Sequence, residues 1–117
     1  QVLDLVAENG HTEIVEALLS TKGIKVNADA LKRAAGKGQI DVVKVLLEKG
    51  ADPKNKADAL KIAAFKGHIL VVKTLLENGA DQNRASFMGF TASIIAASKG
   101  HTDIVELLQN AARREEL

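Results

Sequence analysis

The fold is decided by the stretch Gly38-Gln39-Ile40-Asp41-Val42-Val43-Lys44-Val45-Leu46-Leu47, because it occurs in four versions along the chain. Similar stretches begin at Gly10, Gly67 and Gly100, so the opening glycines lie 28, 29 and 33 residues apart. Within each copy the apolar residues fall at i, i+1, i+4 and i+5, which is the spacing of one face of an α-helix and not of a β-strand. Repetition at this interval is typical of a solenoid of stacked units.

A second apolar segment precedes each of the last three copies and predicts another helix in the unit. Paired alanines mark these segments at Ala34-Ala35, Ala63-Ala64 and Ala96-Ala97. Such small side chains allow two helices to approach closely. Each unit is therefore predicted to contain a short first helix, a glycine turn and a longer second helix, with the glycines as left-handed residues at the helix ends.

Particular residues are expected to begin and interrupt the first helices. Asp29, Asp58 and Thr91 stand where an N-cap is needed. Gly36 lies inside a first helix, where glycine costs about 1 kcal/mol relative to alanine. We interpret Gly36 as drift at an exposed site in preference to a close approach by a partner backbone.

Composition excludes several classes of protein. Hydrophobic residues make up 46% of the 117 residues and aromatic residues only 3%, so the core must be aliphatic. The absence of cysteine excludes a disulfide scaffold, a thiolate metal site and a cysteine nucleophile, and it fits the cytoplasm or another reducing compartment. A formal charge of +1 gives no strong attraction to nucleic acid. No apolar run is long enough to span a membrane.

These residues resemble the ankyrin repeat, whose pattern ends in Gly-Ala-Asp, as at Gly50-Ala51-Asp52 and Gly79-Ala80-Asp81. The resemblance implies an all-α solenoid of stacked helix–turn–helix units with projecting hairpin fingers, and a role in binding proteins. We expect one domain over residues 1–117. Its units are expected at about 1–22, 23–51, 52–80 and 81–110, followed by a tail at 111–117.

The chain also departs from the ankyrin pattern. The characteristic histidine of the Thr-Pro-Leu-His element is absent from every unit. The two earlier junctions are too short for a complete hairpin, so abbreviated loops are expected there, and at most one full finger at about 81–91. The first unit is incomplete, which suggests a longer array. Gln109 replaces a core leucine in the fourth unit, as expected for the polar outer face of a terminal repeat.

No residue pattern indicates catalysis or a cofactor. His11, His68 and His101 occupy the same place in three different units, so we interpret them as structural and not as ligands of one metal ion. The carboxylates of the second helices alternate with lysines on the expected solvent side, which offers no desolvated cleft. The protein is predicted not to be an enzyme and to need no cofactor or metal.

Basic residues collect on the first helices, which line the concave groove in the ankyrin family. The candidate contact residues among them are Lys32, Lys37, Lys61, Lys66 and Lys99. A basic groove favours an acidic protein partner, attracted by complementary charge. The alternative interpretation is an ordinary solvated face of a helix.

The scarce aromatic residues give a second candidate surface. Phe65 follows an alanine pair, while Phe87, Met88 and Phe90 belong to the expected finger over residues 84–90, and these are the variable positions of the family. Aromatic residues and methionine are enriched in the centre of protein interfaces. Alternatively, Phe87 or Phe90 packs on the neighbouring unit and covers Phe65; a mixture of one packed and one exposed ring is our expectation.

Together these features predict a protein-binding module that uses its concave face and its single long finger. It is expected to be a monomer with no nucleic-acid or membrane partner. Two alternatives remain open. The chain is a regulatory or targeting segment of a larger enzyme, such as a microbial effector, or it is a structural spacer or engineered scaffold without a natural partner.

Overall fold

Each of the four repeated stretches forms a helix in the structure, as predicted, and another helix precedes it. A computed structural model describes residues 2–21, 24–86 and 88–116. The eight helices of these residues are α1 (Val2–Glu8), α2 (Thr12–Ser20), α3 (Ala28–Gly36), α4 (Ile40–Glu48), α5 (Pro53–Lys66), α6 (Ile69–Glu77), α7 (Ala92–Ser98) and α8 (Thr102–Glu116).

The eight helices form two layers. The first helices pack in the order α1, α3, α5 and α7, and the second helices in the order α2, α4, α6 and α8. Each first helix also packs on the second helix of its own unit. The stack measures 40 × 28 × 25 Å, and the described residues contain no strand. The predicted all-α solenoid is thereby confirmed.

The core between the layers is aliphatic, as the composition predicts. Alanines of the first helices and valines or leucines of the second helices are fully buried, whereas no aromatic residue is buried in the described chain. The alanine pairs of units two and three, Ala34-Ala35 and Ala63-Ala64, have no exposed surface. Small side chains at these positions let neighbouring first helices lie close together.

Turn glycines connect the two helices of each unit. Gly10, Gly38, Gly67 and Gly100 have φ values between 71° and 82°, in the left-handed region that non-glycine residues rarely adopt. The backbone then reverses within two or three residues. The predicted left-handed glycines are therefore present at all four turns.

Two of the three predicted N-caps are wrong. Asn27, not Asp29, caps α3, with its side chain accepting from the Ala30 N–H at 2.8 Å. Asp58 lies inside α5, whose cap is Asp52, accepting from the Asn55 N–H at 2.9 Å. Thr91 does cap α7.

The first helices are not uniformly the shorter ones. With Asp52 as cap and Pro53 as its first residue, α5 begins directly after the second unit and extends over 14 residues, against 9 for α6. Proline is favoured at the first helical position because it needs no hydrogen-bond acceptor there. The residues that form a finger in a longer unit therefore become an added turn of helix.

The loop before α7 is the one long connection between described helices. Its tip is organised by Ser86, whose N–H donates to the Phe90 carbonyl at 2.9 Å and whose carbonyl accepts from the Gly89 N–H at 2.8 Å. The Ser86 hydroxyl also accepts from the N–H groups of Met88 and Phe90 at 3.3 Å. The predicted finger is thus a closed turn, although Phe87 lies outside the described residues.

None of the helices in the described part of the chain combines the length and the hydropathy needed to cross a bilayer.

Candidate binding groove

A largely apolar groove of about 520 Å³ lies between the neighbouring first helices α5 and α7. Its lining comprises Lys61, Ile62, Phe65, Lys66, Phe90, Ile94, Ile95 and Ser98. Ile62 and Ile95 are half-buried, whereas Phe65, Phe90 and Ile94 keep nearly half of their surface exposed, at 46%, 45% and 48%. The groove is therefore an accessible apolar surface and not a closed cavity.

Helical spacing brings the lining residues to one side of each helix. In α5, Lys61-Ile62 and Phe65-Lys66 lie four residues apart, and in α7 Ile94 and Ile95 precede Ser98 by four and three residues. Residues at this spacing share a helix face. The opposite side of α5 carries buried alanines, so the packing of the stack directs the lining residues outward.

Two lysines surround the ring of Phe65. The Nζ of Lys99 lies 4.5 Å from the ring centroid and the Nζ of Lys66 lies 5.9 Å from it. Both distances are within cation–π range, worth about 0.5–1 kcal/mol at an exposed site. The contact with Lys99 crosses from one unit to the next, so positive charge stands directly beside the apolar groove.

The third lysine of the groove has a different environment. Lys61 forms an ion pair with Asp58, with Nζ and Oδ1 3.6 Å apart. An ion pair at this i,i+3 spacing on one helix adds only about 0.2–0.5 kcal/mol, but it lowers the net charge at that end of the groove. The unbalanced positive charge therefore lies at the end near Lys66 and Lys99.

The groove unites only part of the predicted site. Phe65, Lys61, Lys66 and Phe90 line it, and Lys99 touches it through the Phe65 ring. The remaining candidates lie elsewhere: Lys32 is on α3 and Lys37 directly follows it, Met88 is exposed in the loop, and Phe87 lies outside the described residues. Phe65 and Phe90 line the same groove, and each keeps nearly half of its surface exposed.

Three isoleucines of the groove were not among the predicted site residues. Ile62, Ile94 and Ile95 provide much of its apolar surface. Counted back from the turn glycine, Ile94 takes the place that Lys32 and Lys61 hold in earlier units. The first unit has Asp4 at this position, so an apolar residue where every earlier unit is charged was the available signal in the sequence.

A comparison with family models decides which repeat this is. A model of ankyrin repeats, three copies long, matches residues 2–57 and again residues 54–115. The chain belongs to the ankyrin-repeat family. No curated protein matches the sequence. Ankyrin repeats are generally non-catalytic modules of protein–protein interaction, so the groove belongs to a fold that generally binds proteins.

The residue after the turn glycine joins each ankyrin unit to the one before it. The side chain of Gln39 donates to the Glu8 carbonyl at 3.1 Å. The Nε2 atoms of His68 and His101 lie 3.0 Å and 3.1 Å from the carbonyls of Gly36 and Phe65. Each bonded ring therefore belongs to its own interface between units.

The same rings explain the glycines beneath them. A Cβ added to Gly38 would lie 2.9 Å from Nδ1 of His68, and one added to Gly67 would lie 2.8 Å from Cε1 of His101. A larger residue at either position would therefore collide with the histidine ring.

In the described part of the chain no group of three or more His, Cys, Asp or Glu side chains is arranged to hold a metal ion.

Gly36 has a packing role, so its interpretation as drift at an exposed site is wrong. It is half-buried, and a Cβ at this position would lie 3.2 Å from Cγ2 of Ile62 in the next ankyrin unit. Its carbonyl also accepts the contact from His68. The close approach is made by the neighbouring unit of the same chain.

Proposed function

We propose that this ankyrin domain binds another protein through the groove between α5 and α7. The observation that carries the proposal is the accessible apolar groove itself, in which Phe65, Phe90 and Ile94 stay exposed and line one surface shared by two units. Accessible apolar patches of this kind mark interaction sites in proteins.

The chemistry of the groove fits a binding role and not catalysis. Its side chains are isoleucines, phenylalanines, lysines and one serine, which supply apolar area and positive charge. A proton-transfer reaction needs a positioned acid–base pair. The described lining of the groove contains no carboxylate, and Asp58, which contacts the lining residue Lys61, is held in an ion pair with it. We propose that the domain acts as a non-enzymatic adaptor in the cytoplasm, which the absence of cysteine favours.

The proposal is tested with a displayed library of random peptides and three purified proteins. Phe65→Ser removes the central ring of the groove, and Leu70→Ser is the matched control because Leu70 is 64% exposed on α6, in the other layer. Peptides selected on the unchanged chain are expected to bind the Leu70 variant equally and the Phe65 variant about ten-fold more weakly, as for a central interface residue. Equal binding to all three proteins means that the peptides bind outside the groove and contradicts the proposal, and failure to select any peptide supports a spacer without a specific site.

A further inference from the structure

Three successive units carry a lysine immediately before the turn glycine. Lys37, Lys66 and Lys99 occupy this position and are all exposed. They stand at the ends of α3, α5 and α7, which pack side by side in that order. We call these three residues the lysine row.

The lysine row has a defined spacing. Neighbouring packed helices lie about 8–10 Å apart, so equivalent residues of adjacent units repeat at about 10 Å along the stack. The row therefore runs across the ends of three first helices, parallel to the axis of the solenoid. A ligand that lies along the row can therefore contact all three positive charges.

The charges of the row are not neutralised by neighbouring carboxylates. In the described part of the chain none of these three lysines forms an ion pair. The acidic residues of the same helices, Asp29 and Asp58, lie toward the beginning of α3 and in the middle of α5, and Asp58 is bound to Lys61. An anion at the row consequently meets unbalanced positive charge.

The row and the groove meet at Phe65. Lys66 and Lys99 both contact its ring, at 5.9 Å and 4.5 Å from Nζ to the centroid. A ligand that places an apolar side chain against Phe65 and Ile94 therefore brings its neighbouring residues to these two ammonium groups. The apolar surface of the groove and the positive charges of the lysine row are therefore in direct contact at Phe65.

We propose that the site takes an acidic peptide segment with one large apolar side chain in the groove and carboxylates repeating at about 10 Å along the lysine row. The proposal rests on the groove being the binding site. Two peptide conformations give this repeat on one face. A polyproline-type extended chain does so every third residue, and an α-helix every seventh.

Each lysine of the row contributes modestly because it is exposed. Exposed ion pairs correspond to about a two- to five-fold change in affinity each, and they weaken as salt increases. Loss of all three charges is therefore expected to weaken binding about ten-fold. The loss should shrink at high ionic strength.

The experiment uses the displayed random-peptide library with two triple variants of equal charge. The test variant carries Lys37→Gln, Lys66→Gln and Lys99→Gln, and the control carries Lys44→Gln, Lys49→Gln and Lys73→Gln, which are exposed lysines of the second helices or directly after one. Peptides selected on the unchanged chain are expected to be acidic, with a period of three or seven around an apolar residue. They should bind the control normally and the test variant about ten-fold more weakly.

The outcomes separate the two proposals. Selected peptides that require Phe65 but are neutral or basic, or that bind both triple variants equally, overturn the acidic ligand and leave the groove in place. Peptides that do not require Phe65, or no selection at all, contradict both proposals.

Discussion

At the scale of single residues, the joint between units depends on a glycine and the ring that lies above it. Gly67 has a φ of 82° and lies under the ring of His101, whose Nε2 contacts the Phe65 carbonyl at 3.1 Å. Gly100 has a similar φ of 77° but nothing within 4 Å of an added Cβ. The two glycines therefore share a backbone requirement and differ in what covers them.

This difference predicts unequal effects of the same substitution. Gly100→Ala is expected to cost about 1 kcal/mol from the left-handed backbone alone. Gly67→Ala should cost about 1 kcal/mol more, because the added methyl group displaces the His101 ring and its hydrogen bond. Urea denaturation of both variants measures the difference in the free energy of unfolding.

A double-mutant cycle isolates the ring. Once His101→Ala has removed it, Gly67→Ala is expected to cost no more than Gly100→Ala does in the unchanged chain. An undiminished cost in the absence of the ring contradicts the explanation. The sequence alone predicted the left-handed glycines, but not this contact, because it joins residues 34 positions apart in different units.

At the scale of helices, the beginning of α5 shows where the register of the repeats misleads. The register shared with Asp29 and Thr91, each nine residues before a turn glycine, placed a cap at Asp58. The actual start follows the local signal Asp52-Pro53, a capping residue followed by the proline favoured at the first helical position. Local chemistry was thus sufficient to place this helix, whereas the repeat register placed its cap six residues too late.

The helix boundaries lead to a direct comparison of the two aspartates. Asp52→Ala removes the cap of α5 and is expected to destabilise the protein by about 1 kcal/mol. Asp58→Ala removes only a part-exposed ion pair with Lys61, so a loss well under 1 kcal/mol is expected. Thermal denaturation followed by circular dichroism ranks the two variants, and the reverse order contradicts the assigned start of α5.

The sequence predicted only some of the residues that line the groove, because the exposure of a helix residue depends on how its helix packs. Phe65 and Phe90 were identified because aromatic residues are rare in this chain, and both line the groove. Ile94 was missed because an isoleucine in a first helix is as consistent with the core as with the surface. Only the packing of α7 on α5 decides that this side chain stays outside.

At the scale of the whole molecule, burial follows the order of the units. The residue four places after the turn glycine is Val42, Val71 or Ile104 in the later units, and each is at most 1% exposed. Its counterpart in the first unit, Ile14, is 48% exposed. This position faces the preceding unit, which covers it in every later member of the stack. The first helices show the same contrast, since Val2 is exposed whereas its counterparts Ala30, Ala59 and Ala92 are buried.

Such a gradient follows from the repeat architecture, since each unit of a solenoid is stabilised by its neighbours. Equivalent substitutions should therefore have unequal costs along the stack. Val71→Ala is expected to destabilise the protein by about 2 kcal/mol through a cavity between two units. Ile14→Ala should change the free energy of unfolding by less than about 0.5 kcal/mol, because little of its contact area is lost.

Native-state hydrogen exchange tests the same gradient without substitution. Amides of α1 and α2 are expected to exchange fastest among the helices, because their unit exposes Val2 and Ile14 where later units bury the equivalent residues. Amides of the helices from α3 to α6 should exchange slowest, because each of these helices packs between two others of its own layer. Strongest protection in α1 and α2 would show that stability is not transmitted from unit to unit, and the mutational contrast between Val71 and Ile14 should then disappear as well.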